Sequence, residues 1–211
     1  MYNFTFNIPT KIHFGKDTIS SLSELKAYGS KVLLVYGGGS IKKNGLYDTA
    51  MKILKDAGLT VFELSGVEPN PKIETVRKGV EICKNEGIDM VLAIGGGSTI
   101  DCSKVVAAGA KYDGDAWDLV LDGSKVKAAL PIFDVLTLSA TGTEMDPFAV
   151  ISDMSKNEKW GTGSPYMVPT MSILNPEYTF TLPKYQMVSG IFDIMSHLME
   201  QYFSGEDNNT S

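Results

Sequence analysis

The sequence predicts an α/β fold in which helices cover both faces of a parallel sheet. Over the first half of the chain, short runs rich in Val, Ile and Leu alternate with amphipathic stretches of helical period. The runs are apolar at consecutive positions, which is typical of parallel strands buried on both faces. Two of them, residues 31–36 and 90–94, lead into the same tetrapeptide, Gly-Gly-Gly-Ser.

Each element can be predicted from local pattern. Strands are expected over residues 31–36, 60–64, 90–94, 132–138 and 170–174, with two short ones between residues 3 and 14 separated by Pro9. Helices are expected over residues 18–28, 44–57, 73–85 and 184–203, and from Ser98 onward. Residues 112–127 are polar and loop-rich, with Trp117 and Leu119 as local anchors, and residues 150–160 predict a hairpin.

Composition excludes several classes of protein. The net charge is −6 and no stretch is a basic run, which argues against nucleic acid as a partner. No apolar run is long enough to span a bilayer, and the first residues lack the pattern of a signal peptide. Cys83 and Cys102 have no metal-binding spacing. We therefore expect a soluble, cytoplasmic protein with two buried free thiols and no membrane contact.

The second glycine tetrapeptide, residues 95–98, predicts an anion site. A strand that feeds a glycine turn and a helix start leaves backbone N–H groups unpaired and pointing in one direction, which suits phosphate. Ser98 is a good N-cap residue, and Asp101 three positions later is close to a capping box. The alternative is an ordinary βα turn without a ligand, but this chain contains the tetrapeptide twice.

The first tetrapeptide bears on the choice of cofactor. A ribose with a free 2′-hydroxyl is usually held by an acidic residue at the end of such a strand. Here Gly39 takes that place, followed by Ser40, Lys42 and Lys43. A 2′-phosphate fits this set better than a hydroxyl, so we predict a preference for NADP over NAD.

Asp193 and His197 lie four residues apart on the last predicted helix, so both project from one face. Such a pair can share a divalent metal, although metal sites want three or four protein groups. A surface hydrogen bond is the alternative. Glu200 could orient the imidazole, but an exposed glutamate is the simpler interpretation. His13, the other histidine, is interpreted as a strand residue without a metal.

Several segments together resemble the N-terminal part of the iron-dependent (group III) alcohol dehydrogenases, in the branch of NADPH-dependent butanol dehydrogenases and aldehyde reductases. The similar segments are residues 36–43, 66–71, 93–101 and 136–144, and Asp193 with His197 and residues 200–202. The resemblance implies a Rossmann-like dinucleotide-binding domain over residues 1–182. Residues 183–211 would then begin an all-α metal-binding domain.

The resemblance also implies an activity and its site residues. The family interconverts primary alcohols and aldehydes with NAD(P)(H), and its members tend to form homo-oligomers. Asp193 and His197 would act in catalysis through a divalent metal, iron or zinc, as two of its four ligands. The cofactor-binding residues implied by the resemblance are Gly38, Gly39, Ser40, Asn70, Gly96, Gly97, Ser98, Asp101, Thr137, Thr141, Thr143 and Lys159.

The chain departs from the family in one respect. Members continue into a helical domain that supplies two further metal-binding histidines, whereas this sequence ends at Ser211 and has only His13 besides His197. We therefore expect cofactor binding at best, weak metal affinity and little or no dehydrogenase activity from this chain alone. Two alternatives stay open: an enzyme similar to glycerol dehydrogenase or dehydroquinate synthase, and a non-catalytic NADP-binding module.

Overall fold

A computed structural model describes residue 5 and residues 7–203, and in it one sheet of six parallel strands forms the centre of the molecule. The strands, in chain order, are β1 (Lys11–Phe14), β2 (Lys31–Tyr36), β3 (Thr60–Leu64), β4 (Met90–Gly95), β5 (Ile132–Leu136), the hairpin β6 (Phe148–Asp153) and β7 (Glu158–Gly163), and β8 (Met171–Leu174). The order across the main sheet is β1-β8-β5-β4-β2-β3, and β6 pairs with β7 as a separate antiparallel ribbon.

The helices are α1 (Ser40–Lys43), α2 (Leu46–Asp56), α3 (Ile73–Glu86), α4 (Gly97–Gly109), α5 (Ala116–Leu121) and α6 (Lys184–Phe203). A long 3₁₀ segment, Thr18–Tyr28, connects β1 to β2. None of the helices in the described part of the chain is long and apolar enough to cross a bilayer.

Two apolar layers cover the sheet, because successive side chains of a strand point to opposite faces. Leu33 and Val35 pack with α3, α4 and α5 on one face. Leu34 and Tyr36 pack with α2 and the Thr18–Tyr28 segment on the other. β4 and β5 are buried along their whole length. The sequence prediction of a parallel sheet covered on both sides is confirmed.

Helices α3 and α4 approach each other closely at Gly79. A Cβ atom built on Gly79 would lie 2.7 Å from Val106 Cγ2 and 2.8 Å from Leu64 Cδ2. Real Cβ atoms do not approach so closely, so the helix packing itself requires glycine here.

The first strand sits at one edge of the sheet beside the last. Lys11 of β1 is in register with Met171 of β8, and the two strands are parallel. Residues 11–14 and 171–174, which are far apart in the sequence, therefore lie side by side in the sheet. Helix α6 follows β8 in the chain.

Two sequence predictions about elements are wrong. Asn7 and Ile8 are not part of a strand, so of the two strands predicted between residues 3 and 14 only Lys11–Phe14 forms; residues 1–4 and 6 lie outside the described residues. The stretch predicted as loop-rich contains α5, because Asp115 caps it by accepting a hydrogen bond from the Trp117 amide. Trp117 and Leu119 are buried, as predicted.

Helix α6 has the predicted bounds but few contacts with the sheet. Gly190 is its one buried residue, and its apolar side chains are largely exposed. A Cβ atom on Gly190 would lie 2.7 Å from the Ser139 carbonyl oxygen, so α6 meets the loop after β5 at this point. The division into domains at residue 182 stays a prediction.

Candidate active site

The carboxyl ends of β2, β4 and β5 open into a groove of about 590 Å³ that α6 closes on one side. In open α/β sheets this edge is where ligands bind. The groove is lined by the two glycine turns, the loop after β3, the start of α4, the segment after β5, and α6. The predicted site residues among its lining are Gly38, Ser40, Gly96, Gly97, Ser98, Thr137 and Asp193.

The second glycine turn starts its helix differently from the sequence prediction. Gly95 ends β4, Gly96 is the N-cap residue, and α4 begins at Gly97. Ser98 therefore lies inside the first turn of the helix, and the prediction that it is the N-cap residue is wrong. No side chain caps the start of α4, and its first residues, Gly97 and Ser98, line the groove, which is the arrangement that an anion site requires.

Local packing explains the glycines of the second turn. A Cβ atom on Gly95 would lie 2.4 Å from Thr99 Oγ1, and one on Gly96 would lie 3.3 Å from Leu138 Cβ. Gly97 has more space, with Thr141 Oγ1 and Thr143 Cγ2 at 3.6 Å. In the first turn Gly39 has φ 101°, a left-handed conformation that favours glycine.

A second cavity of about 300 Å³ adjoins the groove and shares Gly97 and Ser98 with it. Asn70, Asp101, Thr141, Thr143 and Lys159 all contribute to its lining. Lys159 Nζ donates a hydrogen bond of 2.7 Å to Asn70 Oδ1. The structure thus brings together residues from four separate segments that the resemblance assigned to one cofactor. Gly39 and His197 are not among the lining residues of either cavity.

The polar atoms of Asp101 and Thr143 are already used within the protein. Thr143 Oγ1 donates to Asp101 Oδ1 at 2.7 Å, and the Val150 amide donates to Asp101 Oδ2 at 2.9 Å. Burial raises the pKa of Asp101, while these hydrogen bonds act in the opposite direction. The capping-box role suggested for Asp101 is wrong: its carboxylate fastens α4 to the loop after β5 and to the hairpin.

Lys104 completes this arrangement and was missed by the sequence analysis. Its side chain is 0% exposed, and its Nζ lies 2.8 Å from four acceptors: Thr143 Oγ1, the carbonyl and Oδ1 of Asp146, and the Phe148 carbonyl. The ammonium has three hydrogens, so two of these acceptors share one of them. Burial lowers the pKa of Lys104, and Asp146 offsets part of that effect. A lone lysine in an otherwise small and apolar helix is the signal that could have identified it.

A second buried polar group lies beneath the loop after β5. Ser172 Oγ is 2.6 Å from Asp134 Oδ2 and 2.7 Å from the Glu144 carbonyl oxygen. A hydroxyl has one hydrogen and a carbonyl can only accept, so both contacts are satisfied when Asp134 is a neutral acid that donates to Ser172. Burial raises the pKa of Asp134 well above its usual value, in agreement with this assignment.

Asp193 and His197 lie together on α6, with 3.7 Å between Asp193 Oδ1 and His197 Nε2. Glu200 Oε2 is 4.0 Å from His197 Nδ1, on the opposite side of the ring. A carboxylate and an imidazole are donors that suit a divalent transition metal. However, among the described residues no group of three or more His, Cys, Asp and Glu side chains is arranged so that it could hold a metal ion. The pair fits a metal in type but supplies only part of a coordination shell.

Comparison with known proteins identifies the family. The model for iron-containing alcohol dehydrogenases matches residues 9–176, most of the chain. The chain belongs to the iron-containing alcohol dehydrogenase family. Family membership confirms the resemblance inferred from the glycine turns and the residues after β5.

Some relatives are named as NADH-dependent and others as NADPH-dependent, and both kinds align with nearly the whole chain. NADH-dependent butanol dehydrogenase A of Clostridium acetobutylicum is 60% identical over 97% of this chain and 53% of the relative. The NADPH-dependent aldehyde reductase YqhD of Escherichia coli is 41% identical over 96% of this chain and 52% of the relative. The chain spans about half the length of the curated relatives it matches.

Solved structures of related proteins have the same fold as this chain. The crystal structure of NADH-dependent butanol dehydrogenase A from Thermotoga maritima superposes with a TM-score of 0.94 at 51% identity, covering 97% of this chain and 52% of that one. The Rossmann-like architecture of the sheet and its flanking helices is therefore that of this iron-containing alcohol dehydrogenase family.

Proposed function

We propose that this chain is the nicotinamide-dinucleotide-binding part of an enzyme that interconverts primary alcohols and aldehydes. The observation that carries the proposal is the groove at the carboxyl ends of β2, β4 and β5, which is lined by the uncapped start of α4 and by Asp193. The names of the relatives, butanol dehydrogenases and aldehyde reductases, support the same reaction class.

Each part of the groove has a separate task in this proposal. The amides at Gly97 and Ser98 hold the pyrophosphate, since a helix N-terminus favours negative charge. Gly38 and Ser40 lie at the adenosine ribose, and Gly39 supplies the left-handed turn between them. Asn70 and Lys159 contribute from the adjoining cavity. Thr137 and Thr141 line the nicotinamide half. Lys104, Asp101 and Thr143 hold α4 against the loop after β5 and so keep these contacts in place.

Asp193 and His197 would hold a divalent metal, iron or zinc, together with ligands outside this chain. When bound, the nicotinamide exchanges a hydride with the substrate, and the metal polarises the substrate oxygen. Gly190 determines how near α6 lies to the loop after β5, and therefore where Asp193 stands relative to the groove. For the whole protein we also propose a cytoplasmic location and a homo-oligomeric state.

Ser98→Asp tests the phosphate site without weakening the helix. A carboxylate in the first turn of α4 interacts favourably with the helix dipole, so the fold should keep its stability. The same charge should repel the pyrophosphate. We expect affinity for both NADPH and NADH, measured by titration calorimetry on the 211-residue chain, to fall at least about tenfold, which is about 1.4 kcal/mol.

Ser98→Asn is the matched control, because it has nearly the same size and no charge. It should bind both cofactors within about threefold of the wild-type chain, or about 0.6 kcal/mol. Unchanged binding by Ser98→Asp, or no binding by the wild-type chain, would contradict the proposed site. We also expect the 211-residue chain to show no metal-dependent reduction of butyraldehyde by NADPH, because among the described residues only Asp193 and His197 are proposed as metal ligands. Measurable turnover would contradict that expectation.

A further inference from the structure

A compact cluster of four side chains stands beside the first glycine turn; we call Tyr36, Lys42, Tyr47 and Glu63 the Lys42 cluster. The Lys42 ammonium lies 4.9 Å from the centre of the Tyr36 ring and 4.4 Å from that of Tyr47. Tyr36 donates to Glu63 Oε2 at 2.6 Å, and Tyr47 donates to Glu63 Oε1 at 2.8 Å. Lys42 Nζ is 3.9 Å from Glu63 Oε2.

The fold places this cluster next to the proposed adenosine ribose site. Helix α1 follows the glycine turn directly, and Lys42 comes two residues after Ser40, which lines the groove. Glu63 is in register with Leu34 in the parallel pair β2 and β3, so it lies near the same sheet edge as Tyr36. The carboxylate comes from a neighbouring strand, which is why the sequence around Gly39 gave no sign of it.

The cluster contains one positive group, the Lys42 ammonium, and one negative group, the Glu63 carboxylate. Hydrogen bonds from Tyr36 and Tyr47, together with the nearby Lys42, lower the pKa of Glu63, so the carboxylate is ionised at neutral pH. Lys42 is attracted both to this carboxylate and to the faces of two aromatic rings. The Lys42 side chain is 48% exposed, but its ammonium already has partners within the cluster before any ligand enters the groove.

We propose that Glu63 is a specificity-determining residue that weakens binding of the 2′-phosphate of NADPH by holding the Lys42 ammonium within the cluster. The inference rests on the proposed function, since it concerns the ribose end of the same groove. A 2′-phosphate must draw Lys42 away from Glu63 and also faces the negative charge of that carboxylate. NADH carries no such phosphate, so its affinity does not depend on the cluster. Glu63 thereby reduces the preference for NADP that was predicted from Lys42 and Lys43.

Glu63→Gln tests the proposal, because glutamine keeps the size and an acceptor for the tyrosine hydroxyls but removes the charge. We expect the dissociation constant for NADPH, measured by titration calorimetry at low salt, to fall by about threefold to tenfold, the effect of one unit charge at several ångströms in a largely aqueous setting. The constant for NADH should stay within about twofold. In competition experiments, 2′,5′-ADP should gain in affinity and 5′-AMP should not.

A double variant separates the release of Lys42 from simple charge repulsion. In the Lys42→Met background the gain from Glu63→Gln should be smaller, because only the direct repulsion between Glu63 and the 2′-phosphate is left to remove. An equal gain in both backgrounds would overturn the proposed role of Lys42. Glu81→Gln, an exposed position on α3, is the control for a change of one unit in net charge and should leave both constants unchanged.

The test distinguishes this inference from the proposed function. If the ratio of the NADPH and NADH dissociation constants is the same in the wild-type chain and in Glu63→Gln, the inference about Glu63 is wrong. The proposal that the groove binds the cofactor is then unaffected. If the wild-type chain binds neither cofactor, the proposed function fails and this inference fails with it. Urea unfolding of each variant shows whether the fold is retained, and the Lys42→Met variant provides a second measurement should Glu63→Gln lose stability.

Discussion

Asp134 shows how a single residue can make stability depend on pH. Its carboxyl group is buried in β5, and burial raises its pKa well above the value in the unfolded chain, where it is near 3.9. Between these two pKa values the folded state binds more protons than the unfolded state. Stability is therefore greatest below the unfolded pKa and is lost as the pH rises through the folded pKa, by up to about 1.4 kcal/mol per pH unit.

Asp134→Asn should remove this dependence. The amide can donate to Ser172 Oγ as the neutral acid does, so the variant should match the wild-type chain near pH 4 and become more stable relative to it at each higher pH. Urea unfolding between pH 4 and 8 measures the difference. Asp113→Asn, at an exposed position, should leave the curve parallel to that of the wild-type chain. Parallel curves for Asp134→Asn would show that Asp134 is not protonated in the folded state.

Sequence predicted the residue types of the site better than their contacts. Glycine, serine and threonine at the ends of strands are identified by local pattern, and Gly97, Ser98 and Thr137 do line the groove. Asp101 was assigned to its own helix start, but its partners Thr143 and Val150 are 42 and 49 residues away. Local pattern carries no information about such partners. The apolar neighbours of Lys104 in α4 do indicate its burial, but they could not identify its partners Thr143, Asp146 and Phe148.

At the level of elements, the close packing of α3 on α4 affects the substitution of glycine by alanine. This substitution usually stabilises a helix, but at Gly79 it should be destabilising. Replacing glycine by alanine inside a helix gains about 1 kcal/mol of helix propensity. At Gly79 the new methyl group would press on Val106 and Leu64, and such overpacking costs about 1–3 kcal/mol. We expect Gly79→Ala to lower the free energy of unfolding by about 1 kcal/mol, measured with urea.

Gly97→Ala is the matched control, because its Cβ atom would meet nothing closer than 3.6 Å. It should leave the free energy of unfolding unchanged or slightly higher. If Gly79→Ala were to stabilise the chain to the same extent, the two helices would have to separate without cost, and the close approach at Gly79 would not be a constraint.

The periodic elements were predictable and the short or non-local ones were not. The bounds of β2, β3 and α6 agree with those expected, since each is marked by an apolar run or a proline start. Helix α5 has six residues, too few to show a helical period, and its cap is a single side-chain contact. The order of strands in the sheet depends on pairing between distant segments, which a local pattern cannot give.

At the level of the whole molecule, α6 presents an apolar surface to solvent. Phe192 is 65% exposed, Leu198 62% and Tyr202 82%. Exposed apolar patches of this kind favour association. We expect the 211-residue chain, studied by itself, to self-associate at micromolar concentration, with a molar mass in light scattering that rises with concentration.

Combining Phe192→Gln with Leu198→Gln should shift the chain toward the monomer. Leu121→Gln, an exposed leucine on α5, should not change the molar mass. A wild-type chain that stays monomeric over the whole concentration range would contradict the expectation. Equal effects of both sets of substitutions would show that association does not involve α6.

The pairing of β1 with β8 has a consequence for how the polypeptide is made. Lys11 leaves the ribosome long before its neighbour in the sheet, Met171, because strands β2 to β7 lie between them in the chain. Until Met171 emerges, the unpaired edge of residues 11–14 is available to other nascent molecules. Such distant pairing is slow to form. Chaperones that bind extended segments should therefore associate with this chain until Leu174 has emerged from the ribosome.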